Sequence, residues 1–430
     1  MNYVYSISRL LIIRTRMKHL KNSIKKIYAR SRGLLSPTEE KPKRLIIEKC
    51  RWLNNADSPV ILMIDDLANA WHSQTGNNTW DAGGDWGGGL SRKGSVYAFL
   101  HEHLLSDYPE VKITFFAVAG KISQYTHDKP FSFAEPLNFN KESKKFFREL
   151  NENNRFEIAY HGYNHGTPGR TSKDFVQEWK GFQSLEEACK QIEKGKEIFK
   201  DVFGRYPLGG KYGGWEHNEF ADDSIDRSGF IWWCRDWMPR NIRDQISEAY
   251  YEPQFFGENF VVALPSTVHG FFWNKKQVDK LIAKRQIIAI EEHISPIRPD
   301  GQIQTPNIID DIQELTGLFV YLRNKRVWYA TASEVAEYFV ARSRSLIFDI
   351  MERSFKVRYD GKISHPELTL DLDCSGICSD QAPYINMMLP DGRPIKPDQY
   401  WYDTNRFRHI VTVPLQNGEY QVKESQSAAV

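Results

Sequence analysis

Three apolar runs in this sequence end in residues that can bind a metal ion or move protons. Val60-Ile61-Leu62-Met63-Ile64 ends in Asp65-Asp66, and Phe156-Glu157-Ile158-Ala159-Tyr160 ends in His161-Gly162-Tyr163-Asn164-His165. Ile287-Ile288-Ala289-Ile290-Glu291-Glu292 ends in His293. Two imidazoles and one carboxylate make a three-ligand set with an open coordination position, the pattern of a catalytic rather than a structural zinc site. An ion held this way lowers the pKa of a bound water towards about 7 and polarises a carbonyl. A second carboxylate beside the ligands would take the water's proton, and a further His would protonate a leaving group. Singly, each element is ordinary. An Asp pair after a strand is a common turn and helix-cap element, and His-x-x-x-His places two imidazoles on one side of a helical turn in many chains. Their joint occurrence, each at a strand end, is what points to a site.

For these groups to meet, the runs must be parallel strands, whose C-terminal ends share one face. Short apolar runs at 59–64, 111–118, 156–160, 229–234, 260–264, 287–291 and 327–330 read as strands. Helical patterns fall between them at 96–105, 142–150, 185–199, 278–284 and 307–322, with a further helix at 332–343. This alternation predicts an α/β domain with a parallel sheet curling into a barrel. The Gly-rich stretch 83–89 lacks a following Lys-Ser or Lys-Thr and is a loop, not a phosphate cradle. Beyond the helix the pattern changes to period-two alternation, as in Phe355, Val357 and Tyr359 and in Leu368, Leu370 and Leu372, with Asp360-Gly361 as a hairpin signal. Residues 1–55 therefore read as arm and linker, 56–345 as the α/β barrel and 346–430 as a small all-β, sandwich-like domain.

Over roughly residues 56–340 the sequence resembles the polysaccharide deacetylases of the NodB-type carbohydrate esterase superfamily. Met63-Ile64-Asp65-Asp66 resembles its first motif and Thr114-Phe115-Phe116 the next strand. The run ending in His161-x-x-x-His165 resembles its second motif, Gly209-Gly210-Lys211-Tyr212-Gly213 the third and Gly229 to Trp233, running into Asp236-Trp237, the fourth. Glu291-Glu292-His293 stands where the last motif does. The resemblance implies an irregular (β/α) barrel and removal of acetyl groups from N-acetylated sugars of a polysaccharide or glycan precursor. It implies Asp65 as general base, His293 as general acid, and Asp66, His161 and His165 as metal ligands, with the Tyr212 backbone N–H stabilising the oxyanion. Lys211, Trp215, Asp236 and Trp237 would bind substrate. The ion expected is Zn²⁺, with Co²⁺ or Ni²⁺ accepted by the same donors. Two departures stand out. Gly209 replaces an Arg that orients the base, leaving Lys211 or Arg205 to supply the charge, and Leu67 replaces a small residue after the Asp pair. The first favours a rival reading, a non-catalytic glycan-binding protein on the same fold; an O-acetyl esterase is another.

Composition limits the remaining choices. The first 38 residues hold nine of the 57 Lys and Arg and no acid, so the rest of the chain carries 48 basic residues against all 55 acidic ones. An acidic body argues against nucleic-acid binding, which needs basic surface against phosphates. In the basic arm, Ile13, Met17, Leu20, Ile24 and Ile27 recur at helical spacing, giving an amphipathic helix suited to peripheral contact with an anionic membrane or to docking on protein. Five scattered cysteines do not form a secreted disulfide framework. With no signal-peptide pattern and no run of about 20 apolar residues, the expectation is a cytoplasmic protein, peripheral at most to the inner face of a membrane. Trp71, Trp80, Trp86, Trp215 and Trp237 fall in loops of the active face, where they would stack on sugar rings or pack the loops together.

Overall fold

The computed structural model describes residues 45–69, 96–123, 132–171, 174–235, 252–265, 268–269, 273–294, 304–375 and 384–425. The basic arm, the Gly-rich stretch, Trp71, Trp80, Trp86, Asp236 and Trp237 lie outside them.

The seven predicted barrel strands are present as β1 (Ser58–Leu67), β2 (Ile113–Ala117), β3 (Phe156–Tyr160), β5 (Trp232–Cys234), β6 (Val261–Leu264), β7 (Ile288–His293) and β8 (Val327–Tyr329), and an eighth that the sequence did not predict, β4 (Gly209–Lys211), lies between β3 and β5. They belong to one sheet, in the order β6-β5-β4-β3-β2-β1-β7, with β8 on the first half of β1. All of these pairings are parallel. Gln254–Phe256 adds an antiparallel edge beyond β6, and Val268–His269 a parallel one beyond β7. The result is an irregular (β/α) barrel.

Because both faces of this sheet are covered, its strands read as continuous apolar runs rather than alternating ones. Alternate residues nevertheless divide cleanly. Val60, Leu62, Ile64, Phe115, Ile158 and Ile290 face outward into a core made with the helices. Those helices include α1 (Lys141–Glu152), α2 (Leu185–Phe203), α3 (Lys275–Ala283) and α4 (Ile312–Leu322). Local sequence sets their ends. Asn140, Ser184 and Asn274 accept N-capping hydrogen bonds from Ser143, Glu187 and Gln277, and α2 stops at Gly204, whose φ is +71°. The pattern over 307–322 yields a helix only from Ile312, because Asn307 spends its side chain on a turn with Asp310.

Ile61, Met63, Phe116, Ala159, Trp232 and Ala289 face inward. The helix α5 (Ala332–Arg344) covers this inner face. It starts in a capping box between Thr331 and Glu334 and buries Val335, Ala336 and Phe339 against the same cluster. Ser333, in its first turn, bonds both the Trp232 indole (2.7 Å) and the buried Glu157 carboxylate. Glu157 also accepts from the Ser333 amide (3.0 Å) and the Thr114 hydroxyl (3.1 Å), so an anion sits at the positive end of the helix.

The C-terminal unit is the expected sandwich. One four-stranded antiparallel sheet runs Ile46–Lys49, Glu367–Asp373, Arg408–Pro414, Tyr400–Asp403, and the other Ser345–Phe348, Ser354–Tyr359, Gly418–Ser425, Tyr384–Met388. Its core is continuous with the inner barrel cluster through α5. Two expectations fail here. Ile46–Lys49, assigned by sequence to the linker, is an edge strand of this sandwich. Asp360-Gly361 does not close a hairpin; the strands on either side of it belong to different sheets. No helix among the described residues is long and apolar enough to cross a membrane.

Glu337, one turn beyond Ser333, is pushed up to about 7 by burial and by the neighbouring Glu157 and Glu334. A carboxyl whose folded value exceeds its ordinary 4.5 contributes stability below that value and loses it as pH rises through about 7. Glu337→Gln should therefore leave stability unchanged near pH 4.5 and raise it by about 1 kcal/mol at roughly pH 8, after discounting for partial exposure. Urea titrations at the two pH values test this; an equal change at both would overturn it.

Candidate active site

The inward-facing residues at the C-terminal ends of β1, β3, β4 and β7 converge. Register makes this unavoidable for several of them: β1 and β7 pair Met63 with Glu291 and Asp65 with His293. Asp66 should point the other way, since neighbouring residues on a strand face opposite sides. Instead the register of β1 on β2 shifts between Ile64 and Leu67, and Asp66 takes a left-handed φ of +66°. This bulge turns Asp66 back to the same face as Asp65. Leu67 then pairs with Ala117 and is fully buried in the outer core, which explains a large residue at that position.

His161 extends β3, its amide bonded to the Ala117 carbonyl at 2.9 Å. His165 reaches the site differently from the sequence expectation: 162–165 is not a helical turn. Gly162 (φ +101°) and His165 (φ +64°) fold it into a loop that brings the second imidazole beside the first, with ring centroids 5.1 Å apart.

Both imidazole Nε2 atoms approach the same Asp66 oxygen, at 3.3 Å from His161 and 3.2 Å from His165. Ligands about 2.0–2.2 Å from a tetrahedral ion lie roughly 3.3 Å from one another, so these three donors are spaced as neighbouring ligands. His161 Nδ1 lies 3.2 Å from the Lys211 carbonyl, a contact that places the proton there and leaves Nε2 for the ion. Burial alone would raise Asp66, but the two imidazoles more than reverse this and hold it well below the usual carboxylate range. His165 is correspondingly raised, burial being outweighed by Asp66. The residues fit a divalent transition metal.

Asp65 is a buried neighbour of this set. Its Oδ2 is 2.6 Å from Lys211 Nζ and 3.9 Å from His293 Nε2, whereas its Oδ1 has no hydrogen-bond partner among the described residues. Lys211 is fully buried and bridges to Glu291 Oε1 at 2.7 Å. Burial lowers the Lys211 value, but the two carboxylates overcome this and hold it above the ordinary range. Asp65, Glu291 and His293 lie close enough together to form a second donor group, but the Lys211 ammonium sits between the two carboxylates and leaves a second cation no place.

Gly209 cannot carry the orienting side chain, because a Cβ there would lie 2.1 Å from the Trp232 ring. Two residues on, the same face is presented again, and Lys211 supplies the charge. Arg205 does not; it bonds Asn151 on the exposed surface.

His293, Tyr212 and Trp215 lie around this centre. His293 Nδ1 donates to the Pro306 carbonyl at 2.7 Å, leaving Nε2 directed at the site. Tyr212 turns its ring outward among Trp179 and Trp233 and gives its hydroxyl to Asp222. Only its backbone remains on the inner side, between Lys211, whose carbonyl meets His161, and Gly213, where a Cβ would stand 3.1 Å from the His165 ring. Trp215 donates its indole N–H to Glu291 Oε1 (2.7 Å), and the Lys211 ammonium lies 4.2 Å from its ring centroid. It is thus tied into the charged cluster, and the Lys211 ammonium occupies one of its ring faces.

Three participants escaped the sequence reading. Glu291 had a legible signal, as a carboxylate two residues before His293 on the same strand face. Pro306 is met only through its carbonyl. Glu178, buried behind the 162–165 loop, belongs to no motif; burial pushes its carboxyl above the ordinary value, against the lowering effect of nearby amides and His165.

No family model matches the chain, and a search of curated proteins finds no match. Among solved structures, it is similar to one described as a polysaccharide deacetylase from Mycobacterium smegmatis, at 17% identity and a TM-score of 0.42, over 69% of this chain and 94% of that one. The PuuE allantoinase is similar at 14% identity and 0.42, over 68% and 94%. A CE4 family pseudoenzyme from Bacillus anthracis is similar at 13% and 0.32, over 65% of each chain. These likenesses are of fold alone; the chemistry is read from the side chains above.

Lys211→Met would leave Asp65 and Glu291 buried together without their counter-charge. The expected cost is about 3–5 kcal/mol in urea denaturation; a loss below about 1 kcal/mol would show that the ammonium is not what holds the pair.

Proposed function

We propose that the protein is a metal-dependent hydrolase that removes acetyl groups from N-acetylated sugars of a polysaccharide or glycan precursor. The observation that carries hydrolysis is Asp65: a buried carboxylate with one oxygen fixed by Lys211 and the other unengaged, between a His₂Asp donor set and a directed His293. The acetyl-sugar part rests on the resemblance of the motifs that bear these residues to those of polysaccharide deacetylases.

A divalent ion held by Asp66, His161 and His165, with zinc the first choice, would supply Lewis acidity at the acyl carbonyl and acidify water. Asp65 Oδ1 accepts the proton of the attacking water, while Lys211 on Oδ2 keeps the carboxylate oriented. The Tyr212 N–H donates to the carbonyl oxygen as negative charge develops. His293 Nε2 passes a proton to the leaving nitrogen, its ring held by Pro306, and the amide splits into acetate and a free amine. The departure at Gly209 favoured a non-catalytic glycan-binding reading; the charge supplied by Lys211 removes much of its force.

Elemental analysis should find about one transition-metal ion per chain, lost in His165→Ala. Acetate release from N-acetylated and O-acetylated oligosaccharides should favour the N-acetyl group. Asp65→Asn should retain the metal and lose about 10²–10⁴-fold in rate. Metal-loaded protein that binds these oligosaccharides but releases acetate from neither class would support the glycan-binding reading, and release from esters alone the O-acetyl esterase. The basic arm would hold this activity beside anionic lipid. Deleting residues 1–35 should abolish binding to anionic vesicles at low salt, and unchanged binding would discard that role.

A further inference from the structure

The loop between the two histidine ligands is held from behind by one side chain. Glu178 Oε1 accepts the Tyr163 amide at 3.0 Å, and Oε2 accepts those of Asn164 (3.0 Å) and His165 (2.9 Å). The contact is reciprocal, since the Glu178 amide donates to the His165 carbonyl at 3.2 Å. Glu178 is only 4% exposed. It reaches this position because the chain doubles back: Gly166–Thr167 pairs antiparallel with Val176–Gln177, so residue 178 emerges directly behind residue 165. Gly162 makes the room, for a Cβ there would lie 2.5 Å from Glu178 Oε2.

Three successive amides converging on one carboxylate make an anion nest turned inward: here the protein supplies its own anion to fix the loop. The loop needs fixing. Its last residue, His165, holds a left-handed φ of +64°, a conformation that costs on the order of 1 kcal/mol for a residue with a side chain. An unsupported loop would relax and carry the imidazole away from Asp66. The ring itself is confined by Phe175, stacked at 6.4 Å, and by the close approach of Gly213.

We propose that Glu178 is a positioning residue for the metal centre, locking His165 in its ligating orientation through the backbone of the ligand loop. This rests on the metal-binding reading given above. Cobalt titration of the full-length metal-free protein tests it, with three readouts: affinity by competition, the visible Co²⁺ absorption spectrum, and thermal unfolding of the metal-free form. Glu178→Gln keeps the shape but turns one acceptor into a donor facing amides. It should weaken cobalt binding about 10–100-fold and alter the spectrum. A variant with lowered thermal stability but wild-type affinity and spectrum would show a merely structural role and overturn the proposal. Should Glu178→Gln not fold, Gly162→Ala decides, since its methyl displaces the carboxylate; unaltered cobalt affinity there overturns the proposal too. A wild type that takes up no cobalt defeats the metal reading itself, and this inference with it, whereas normal wild-type loading with unaffected variants defeats this inference alone.

Discussion

The active face is organised around one buried ammonium. Lys211 lies between Asp65 and Glu291, and Trp215 closes the cluster with an indole bond to the same glutamate. Charges removed from water cost several kcal/mol each unless their partners and remaining hydrogen bonds are in place. Asp65 therefore cannot turn to satisfy its free oxygen without releasing Lys211, and Lys211 cannot move without taking its positive charge away from Glu291. Three strands, β1, β4 and β7, are tied at one level by this cluster. The fixed direction of the Asp65 carboxylate follows from it, and the register of β1 on β7 sets His293 directly opposite Asp65.

A second constraint is conformational. A sheet of period two cannot aim two adjacent aspartates at one point, nor can a strand end aim two histidines four residues apart at it. Left-handed backbone solves both problems, at Asp66 and at His165. Each is a local cost that the surroundings must offset. For Asp66 the offset is Leu67, driven into the outer core on the far side of the bulge. For His165 it is the hairpin that returns Glu178 to the loop. Strained backbone and donor set thus coincide, as expected where geometry is held for chemistry rather than for stability.

Seven of the barrel strands were legible because each is a short apolar run bounded by polar or turn residues, and burial on both faces makes that pattern strong; Gly209–Lys211 was missed because it has no apolar run. Asp66, His161, His165 and His293 were legible as candidates because they stand at or just beyond the ends of those runs. What sequence could not supply was the direction of side chains where the backbone leaves its period: the bulge at Asp66 and the loop that replaces the expected helical turn at His165. It could not choose between Lys211 and Arg205, since the choice depends on Lys211 lying buried against Asp65 while Arg205 bonds Asn151 on the exposed surface. Glu178 was invisible, because what it binds is backbone, which has no sequence signature. The misassigned linker Ile46–Lys49 pairs with a strand from the far end of the chain, and the strands flanking Asp360-Gly361 pair with Gly418–Ser425 and Arg408–Pro414 rather than with each other; neither choice of partner leaves a local trace.

That distant pairing has a topological consequence. Ile46–Lys49 precedes the barrel, and its partner Glu367–Asp373 follows it. The barrel is therefore an insertion within the sandwich: the chain enters it from one sheet and leaves it through α5 into Ser345–Phe348 of the other. Closing so long an interval as a loose loop is entropically unfavourable, and a finished barrel closes it in advance. The edge of the sandwich can be completed only after synthesis and folding of everything between, which makes it a late-forming seal on the chain. Grafting the barrel alone onto another protein would leave an unpaired sheet edge and the open side of α5. The transferable module is the barrel together with its clasp.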